Sequence, residues 1–148
     1  MKVSEAMSRD VSIASPDDTL QQAASKMAQL DAGVLPVGAN DRLVGMLTDR
    51  DITVRAVAKG LGPQTKVRDV MSEDVKYCFD DEELATVTAN MGDIQVRRLP
   101  VLNRDKRLVG IVSLGDIVNT GRNARQAGQA LAGISQPGGE HSQATQAH

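Results

Sequence analysis

The chain is written twice. "VSEAMSRDV" from Val3 returns as "VRDVMSEDV" from Val67, an offset of 64 residues. Met7 and Ser8 fall on Met71 and Ser72, Leu20 on Leu84, Met27 on Met91, and "LPV" at Leu35–Val37 on Leu99–Val101. One extra residue in the following turn makes the offset 65, which lays "RLVGMLTDRDI" (Arg42–Ile52) on "RLVGIVSLGDI" (Arg107–Ile117) and Asp51 on Asp116. A repeat of this length means two copies of one supersecondary unit, each marginal alone and completed by the other.

Each copy carries the same order of elements. An extended piece, "VSIAS" or "VKYCF", leads into acids suited to cap a helix, Asp17–Asp18 or Asp80–Asp81. Asp18 with Gln21, and Asp80 with Glu83, have capping-box spacing. Leu20, Ala23, Ala24, Met27 and Ala28 recur at helical period and predict one buried face, and Leu84, Val87, Met91 and Ile94 repeat it. The apolar runs "GVLPV" and "LVGMLT", or "RRLPV" and "LVGIVS", joined by the turns "GANDR" and "NRDKR", read as adjacent strands. A closing helix then stops at Gly60 or Gly121.

The unit is therefore β-α-β-β-α and the fold class α+β. The first repeat is expected over residues 1–60 and the second over 67–121, with a linker at 61–66 inside "KGLGPQTK". Residues 122–148 are expected to hold a short helix, with Ala124, Ala127, Leu131 and Ile134 on one face, and a polar tail too poor in apolar residues to order.

Composition narrows the function. Of the 148 residues 41% are hydrophobic, yet Tyr77 and Phe79 are the only aromatics, so the core must be aliphatic and no platform exists for stacking bases. Seventeen basic against 19 acidic residues give a net charge of -2, with no footprint for nucleic acid. No apolar run of about 18 residues exists to cross a membrane, and the N-terminus lacks a signal peptide's apolar core; a cytoplasmic protein is expected.

Catalysis finds no support. The only histidines, His141 and His148, lie in the tail, where solvation explains them better than metal, and Cys78 is the single cysteine, read as a buried inert thiol. With no base in either repeat, binding is expected rather than an enzyme.

The repeated T/S-x-x-D-I after an apolar "LVG" run, preceded by "LPV" and opened by Met-Ser, resembles the CBS domain family. Over residues 1–121 the chain is similar to a tandem CBS pair (a Bateman module) of the small bacterial kind without an attached enzyme or transporter. The resemblance implies two pseudo-twofold-related repeats packed through their sheets, with clefts between them for adenosine-containing ligands. It implies that the Asp holds the ribose hydroxyls, the Thr or Ser reaches phosphate, and strand backbone holds the adenine.

Carried over by position, the ribose residues are Asp51 and Asp116, and the phosphate residues are Thr48, Arg50, Ser113 and Arg98, the last standing just before "LPV". Ser12, Ile13 and Pro36 in one copy, and Lys76, Tyr77 and Pro100 in the other, fall around the adenine. The implied ligands are AMP, ADP or ATP, with S-adenosylmethionine and NADH as further adenosyl compounds; no cofactor is required, no metal site is implied, and magnesium stays open. The resemblance also implies a homodimer, and a pair without an effector domain is expected to pass its signal to another protein.

The residue types suit that task. Free backbone N–H groups and the positive end of a helix dipole attract phosphate, and an ionised Asp accepts both hydroxyls of a cis-diol. Thr or Ser with an acid three positions on is also a helix cap, worth about 0.5–2 kcal/mol with no ligand at all. Both roles stay open at this point. The copies differ too: "TDRD" brings Arg50 to the first, whereas "SLGD" leaves Leu114 and Gly115, with Arg97 and Arg98 as compensation. Met27 and Met91 belong to the core. Two functions follow: a regulatory module that senses adenine nucleotides, or a ligand-free scaffold for dimerisation and interaction. The presence of both Asp51 and Asp116 favours the first.

Overall fold

The computed structural model describes residues 1–121 and 124–136, so His141, His148 and most of the tail lie outside the described residues. In chain order the elements are α1 (Val3–Ala6), α2 (Leu20–Leu30), β1 (Val34–Ala39), β2 (Arg42–Thr48), α3 (Asp49–Asp51), β3 (Cys78–Phe79), α4 (Leu84–Asp93), β4 (Arg98–Leu102), β5 (Leu108–Ser113), α5 (Leu114–Asn119) and α6 (Ala124–Ile134). They form two compact units. The first holds Ser12–Lys76 with Lys106–Leu108; the second holds Met1–Val11, Tyr77–Asp105 and the chain from Val109 onward.

Each unit takes its entry segment from the start of the other repeat. Leu84 N–H donates to the Met1 carbonyl at 2.9 Å and Val3 N–H to the Glu82 carbonyl at 3.0 Å, so Met1–Val3 closes the start of α4. At the same offset of 64, Leu20 N–H donates to Thr65 and Val67 N–H to Asp18, closing the start of α2 with the chain after Gly60. These bonds satisfy N–H groups that a helix leaves orphaned.

In the first unit β1 and β2 make an antiparallel hairpin in which Val34 faces Thr48 and Ala39 faces Arg42. Its two-residue loop, Asn40–Asp41, has φ of 53° and 63°, the left-handed pair of a type I′ turn, which Asn and Asp tolerate. The extended piece before α2 is shorter than its sequence suggests: only Ala14 bridges Val37, in parallel. Ser15 then turns, its N–H held by Asp18 Oδ2 at 2.9 Å. In the second unit the order is β3-β4-β5, with Cys78 and Phe79 paired in parallel to Val101 and Leu102.

Three helix expectations need correction. The box that starts α2 is Thr19 with Gln22, one residue beyond Asp18 and Gln21, and α4 starts at Glu83 with no side-chain cap. Leu20, Ala23 and Met27 of α2 are buried, but Ala24 and Ala28 are exposed, and Ile94 is exposed at the end of α4. Small alanines cost little in water, so the buried stripe narrows to the larger side chains. Helix α6 buries Ala127 and Ala130 while Leu131 is exposed, because it approaches α4 at Gly92 too closely for a large residue.

The closing helix of the first repeat is irregular. One α turn at α3 widens to a π turn over Ile52–Ala56 and tightens to 3-10 over Val57–Lys59. Gly60 and Gly121 end the two closing helices at φ of 78° and 70°, a conformation glycine adopts without strain. Each unit has its own aliphatic core, one around Leu35, Val37 and Leu47, the other around Leu99, Val101 and Val112.

Candidate functional site

The two T/S-x-x-D stretches fold into the same reciprocal pair of hydrogen bonds. Asp51 N–H donates to Thr48 Oγ1 and Thr48 N–H to Asp51 Oδ2, both at 3.0 Å. Asp116 N–H donates to Ser113 Oγ and Ser113 N–H to Asp116 Oδ2, both at 3.1 Å. The capping reading is therefore realised in both copies. It leaves acceptor capacity, since an ionised carboxylate offers about four lone-pair sites and the cap takes one. Asp51 Oδ1 lies 3.9 Å from Arg55 Nε, and among the described residues Asp116 Oδ1 has no partner. Both aspartates are half-buried.

The other expected residues sort by unit. In the first, Ile13 packs on Gly38 and accepts Lys26 Nζ at its carbonyl at 2.7 Å, while Ser12 beside it is exposed. The Pro36 carbonyl accepts Ala14 N–H at 2.9 Å, and Pro36 is buried two residues along β1 from Val34, the partner of Thr48. Thr48 and Asp51 thus stand at the Val34 end of that sheet, whereas Ile13 packs toward its turn at Gly38. In the second unit Pro100 is buried inside β4, Arg98 is exposed at its first position, and Ser113 ends β5. Lys76 closes the main stretch of the first unit and lies 4.0 Å from Asp74, and Tyr77 belongs to the second unit.

Tyr77 is 40% exposed and meets Phe79 edge to face at 5.6 Å. The Arg104 guanidinium stands over the other aromatic, 4.1 Å from the Phe79 centroid, and holds Asp81 through both carboxylate oxygens. That bidentate bond lowers the Asp81 pKa and raises that of Arg104. Cys78, between the two rings in sequence, is buried; desolvation, reinforced by Glu82 and Asp80, pushes its thiol up to about 12. Met27 and Met91 lie in the cores. An open groove along α2, lined by Asp18, Gln22, Lys26 and Gln29 among others, contains none of the expected residues.

One contact escaped the sequence reading. The Asp49 carboxylate lies against Gly33, where a Cβ would stand 2.7 Å from Oδ2, and its Oδ1 accepts Arg50 N–H at 2.8 Å. The equivalent positions hold Leu114 and Arg97, a paired difference visible once the copies are aligned. Arg50, Arg97 and Arg98 are exposed and make no ion pair among the described residues. No cluster of three or more His, Cys, Asp or Glu that could hold a metal occurs among the described residues, and no helix among them is long and apolar enough to cross a membrane.

Known proteins share this pattern. The chain is 41% identical to the CBS domain-containing protein YhcV of Bacillus subtilis (strain 168) over 133 residues, 90% of this chain and 94% of that protein. It is 42% identical to Hypoxic response protein 1 of Mycobacterium tuberculosis over 113 residues, 75% of this chain and 78% of that protein. A crystal structure of Hypoxic Response Protein I with two coordinated zinc ions superposes with a TM-score of 0.72 at 36% identity, covering 80% of this chain and 98% of that one. The fold is also that of the CBS domain pair of protein MJ0100 in complex with 5′-methylthioadenosine and S-adenosyl-L-methionine, at a TM-score of 0.71 and 24% identity over 84% of this chain and 98% of that one. The CBS domain model matches residues 3–57 and 67–122, and the chain belongs to that family, carrying two CBS domains in tandem.

Proposed function

We propose that the chain is a regulatory module that binds adenine nucleotides or related adenosyl compounds at Thr48–Asp51 and Ser113–Asp116. It acts as a homodimer in the cytoplasm, catalyses no reaction, and passes the bound state to another protein. The observation that carries this reading is the duplicated carboxylate: each Asp caps its helix through Oδ2 and keeps acceptor sites for a ribose diol. A CBS pair of the same fold holds two adenosyl compounds, which supports the ligand class. Exposed Val54, Val57 and Leu61, close together in the chain, supply apolar surface for a second copy.

Thermal unfolding with AMP, ADP, ATP, S-adenosylmethionine and NADH, against deoxyribose and guanine controls, tests it. A ligand at about 100 times its Kd adds roughly 2.7 kcal/mol, which at this size is on the order of 5–10 °C in Tm. A shift that shrinks in Asp51→Asn or Asp116→Asn supports ribose reading. No shift with any adenosyl compound, in folded protein, transfers the assignment to the ligand-free scaffold.

A further inference from the structure

On the nucleotide-binding reading above, we propose that the two repeats take adenosyl ligands of different charge class. The Thr48–Asp51 site accepts one whose 5′ substituent is neutral or cationic, and the Ser113–Asp116 site accepts one bearing phosphate. Two side chains, exchanged about one shared hydrogen bond, carry the assignment. Asp49 N–H donates to the Gly33 carbonyl at 2.9 Å, and Leu114 N–H donates to the Arg97 carbonyl at 3.0 Å. The first copy thus has a carboxylate beside a strand residue with no side chain. The second has a neutral leucine bonded to the backbone of an arginine.

The carboxylate occupies the space that Gly33 leaves open. A Cβ at Gly33 would lie 2.7 Å from Asp49 Oδ2 and 3.2 Å from Oδ1, so a longer side chain at position 33 excludes this placement of Asp49. Asp49 Oδ1 also takes the Arg50 N–H, at 2.8 Å, a backbone donor beside Thr48 that an incoming phosphate would otherwise use. Arg50, exposed and unpaired among the described residues, offsets the Asp49 charge without exceeding it, and Arg55 lies 3.9 Å from Asp51, so the first copy gathers no excess of positive charge. A dianionic phosphate near Thr48 therefore meets Asp49 as well as Arg50, a like charge that offsets the attraction, and a neutral thioether or a sulfonium meets no such repulsion.

The second copy has the opposite balance. Leu114 and Gly115 bring no carboxylate between Ser113 and Asp116, and Arg97 precedes and Arg98 begins the neighbouring strand, both exposed and without ion-pair partners among the described residues. Guanidinium groups suit phosphate through charge-assisted, often bidentate, hydrogen bonds. The preference expected from Arg50 alone is thereby inverted: the copy spelled "TDRD" is the poorer phosphate site.

Calorimetric titration with AMP and 5′-methylthioadenosine, which share adenosine and differ at the 5′ substituent, separates the sites in variants that silence one ribose carboxylate and keep a capping acceptor. In Asp116→Asn the remaining first site should bind 5′-methylthioadenosine at least about tenfold tighter than AMP, and adding Asp49→Asn should close that gap by about tenfold, the change that 1.4 kcal/mol represents. In Asp51→Asn the second site should prefer AMP, and adding Arg97→Ala and Arg98→Ala should abolish the preference. Asp49 is exposed and outside the capping bonds, so its variant folds. Equal AMP to methylthioadenosine ratios at the two sites, or a ratio unmoved by Asp49→Asn, overturns the assignment while leaving nucleotide binding standing. Binding of neither compound to the unaltered protein removes both.

Discussion

The sulfur of Met7 lies where Gly110 leaves room for it: a Cβ on Gly110 would stand 2.6 Å from Met7 Sδ and 2.8 Å from the Ser8 carbonyl. Gly45 meets Met71 Sδ and the Ser72 carbonyl in the same way, at 2.7 and 2.9 Å. The Met-Ser opening and the glycine of "LVG" are thus two halves of one contact, made in each unit between an entry segment and an edge strand. Backbone bonds lock it, with Ser8 and Ile111 exchanging N–H groups at 2.8 and 2.9 Å. The thioether can swing aside, but the carbonyl cannot move without breaking those bonds. Gly110→Ala and Gly45→Ala should each cost about 1–3 kcal/mol, read as a lower denaturant midpoint at unchanged slope; an unchanged midpoint would contradict the contact.

The T/S-x-x-D boxes act on stability whether or not a ligand is present. Thr48→Ala or Ser113→Ala removes the acceptor for the Asp51 or Asp116 N–H and should lower stability of the ligand-free protein by about 1 kcal/mol. Thr48→Ser retains the acceptor and should cost markedly less. Chemical unfolding of nucleotide-free protein gives the comparison; equal stability of Thr48→Ala and the unaltered chain would show that the box contributes nothing.

Cys78 predicts an alkaline limb. Its thiol has an ordinary pKa of 9.0 and is pushed up to about 12 in the fold, by burial first and by Glu82 and Asp80 next. Above pH 9 the unfolded chain releases this proton while the folded chain keeps it, so folded protein binds more protons and stability falls as pH rises. The contribution is complete below pH 9 and lost progressively between 9 and 12. Cys78→Ala should flatten that slope in unfolding midpoints measured from pH 8 to 10.5. Burial keeps the folded thiol protonated at pH 8, so a disulfide reagent should label Cys78 only upon unfolding.

Much of this was legible in the sequence because its signals are local. Asn40–Asp41 reads as a hairpin turn, Gly60 and Gly121 read as helix stops, and Thr48 with Asp51 reads as a cap; each involves neighbours in the chain. The entry segments were not legible, since alignment of the copies shows that Met7 equals Met71 but not which strand either will meet. Long-range bonds such as Leu84 N–H to the Met1 carbonyl are made by backbone, which carries no residue code. The box starting α2 slipped by one because Asp18 with Gln21 and Thr19 with Gln22 have the same spacing, and the choice falls to Asp18 holding Ser15 N–H. At the site, the Asp49 and Gly33 contact spans a hairpin and becomes visible only as the paired change to Leu114 and Arg97.

Helix α6 was misread for a related reason, and two glycines test the corrected reading. Leu131 and Ile134 suggested an apolar face, yet the helix seats on α4 through Ala130 and Gly133 at Gly92, small residues with little hydrophobic signal. A Cβ on Gly92 would stand 2.8 Å from the Ala130 Cα, which is backbone and cannot rotate away, whereas a Cβ on Gly128, in α6 itself, meets nothing within 4 Å. Glycine to alanine inside a helix otherwise stabilises by roughly 0.5–1 kcal/mol. Gly128→Ala should therefore raise stability by about that much, and Gly92→Ala should lower it despite the same gain in propensity, by about 1–3 kcal/mol. Hydrogen exchange assigns the effect: amides of Ala130–Ile134 should lose protection in Gly92→Ala and keep or gain it in Gly128→Ala. The same sign for both substitutions would mean that α6 does not rest on α4 at Gly92.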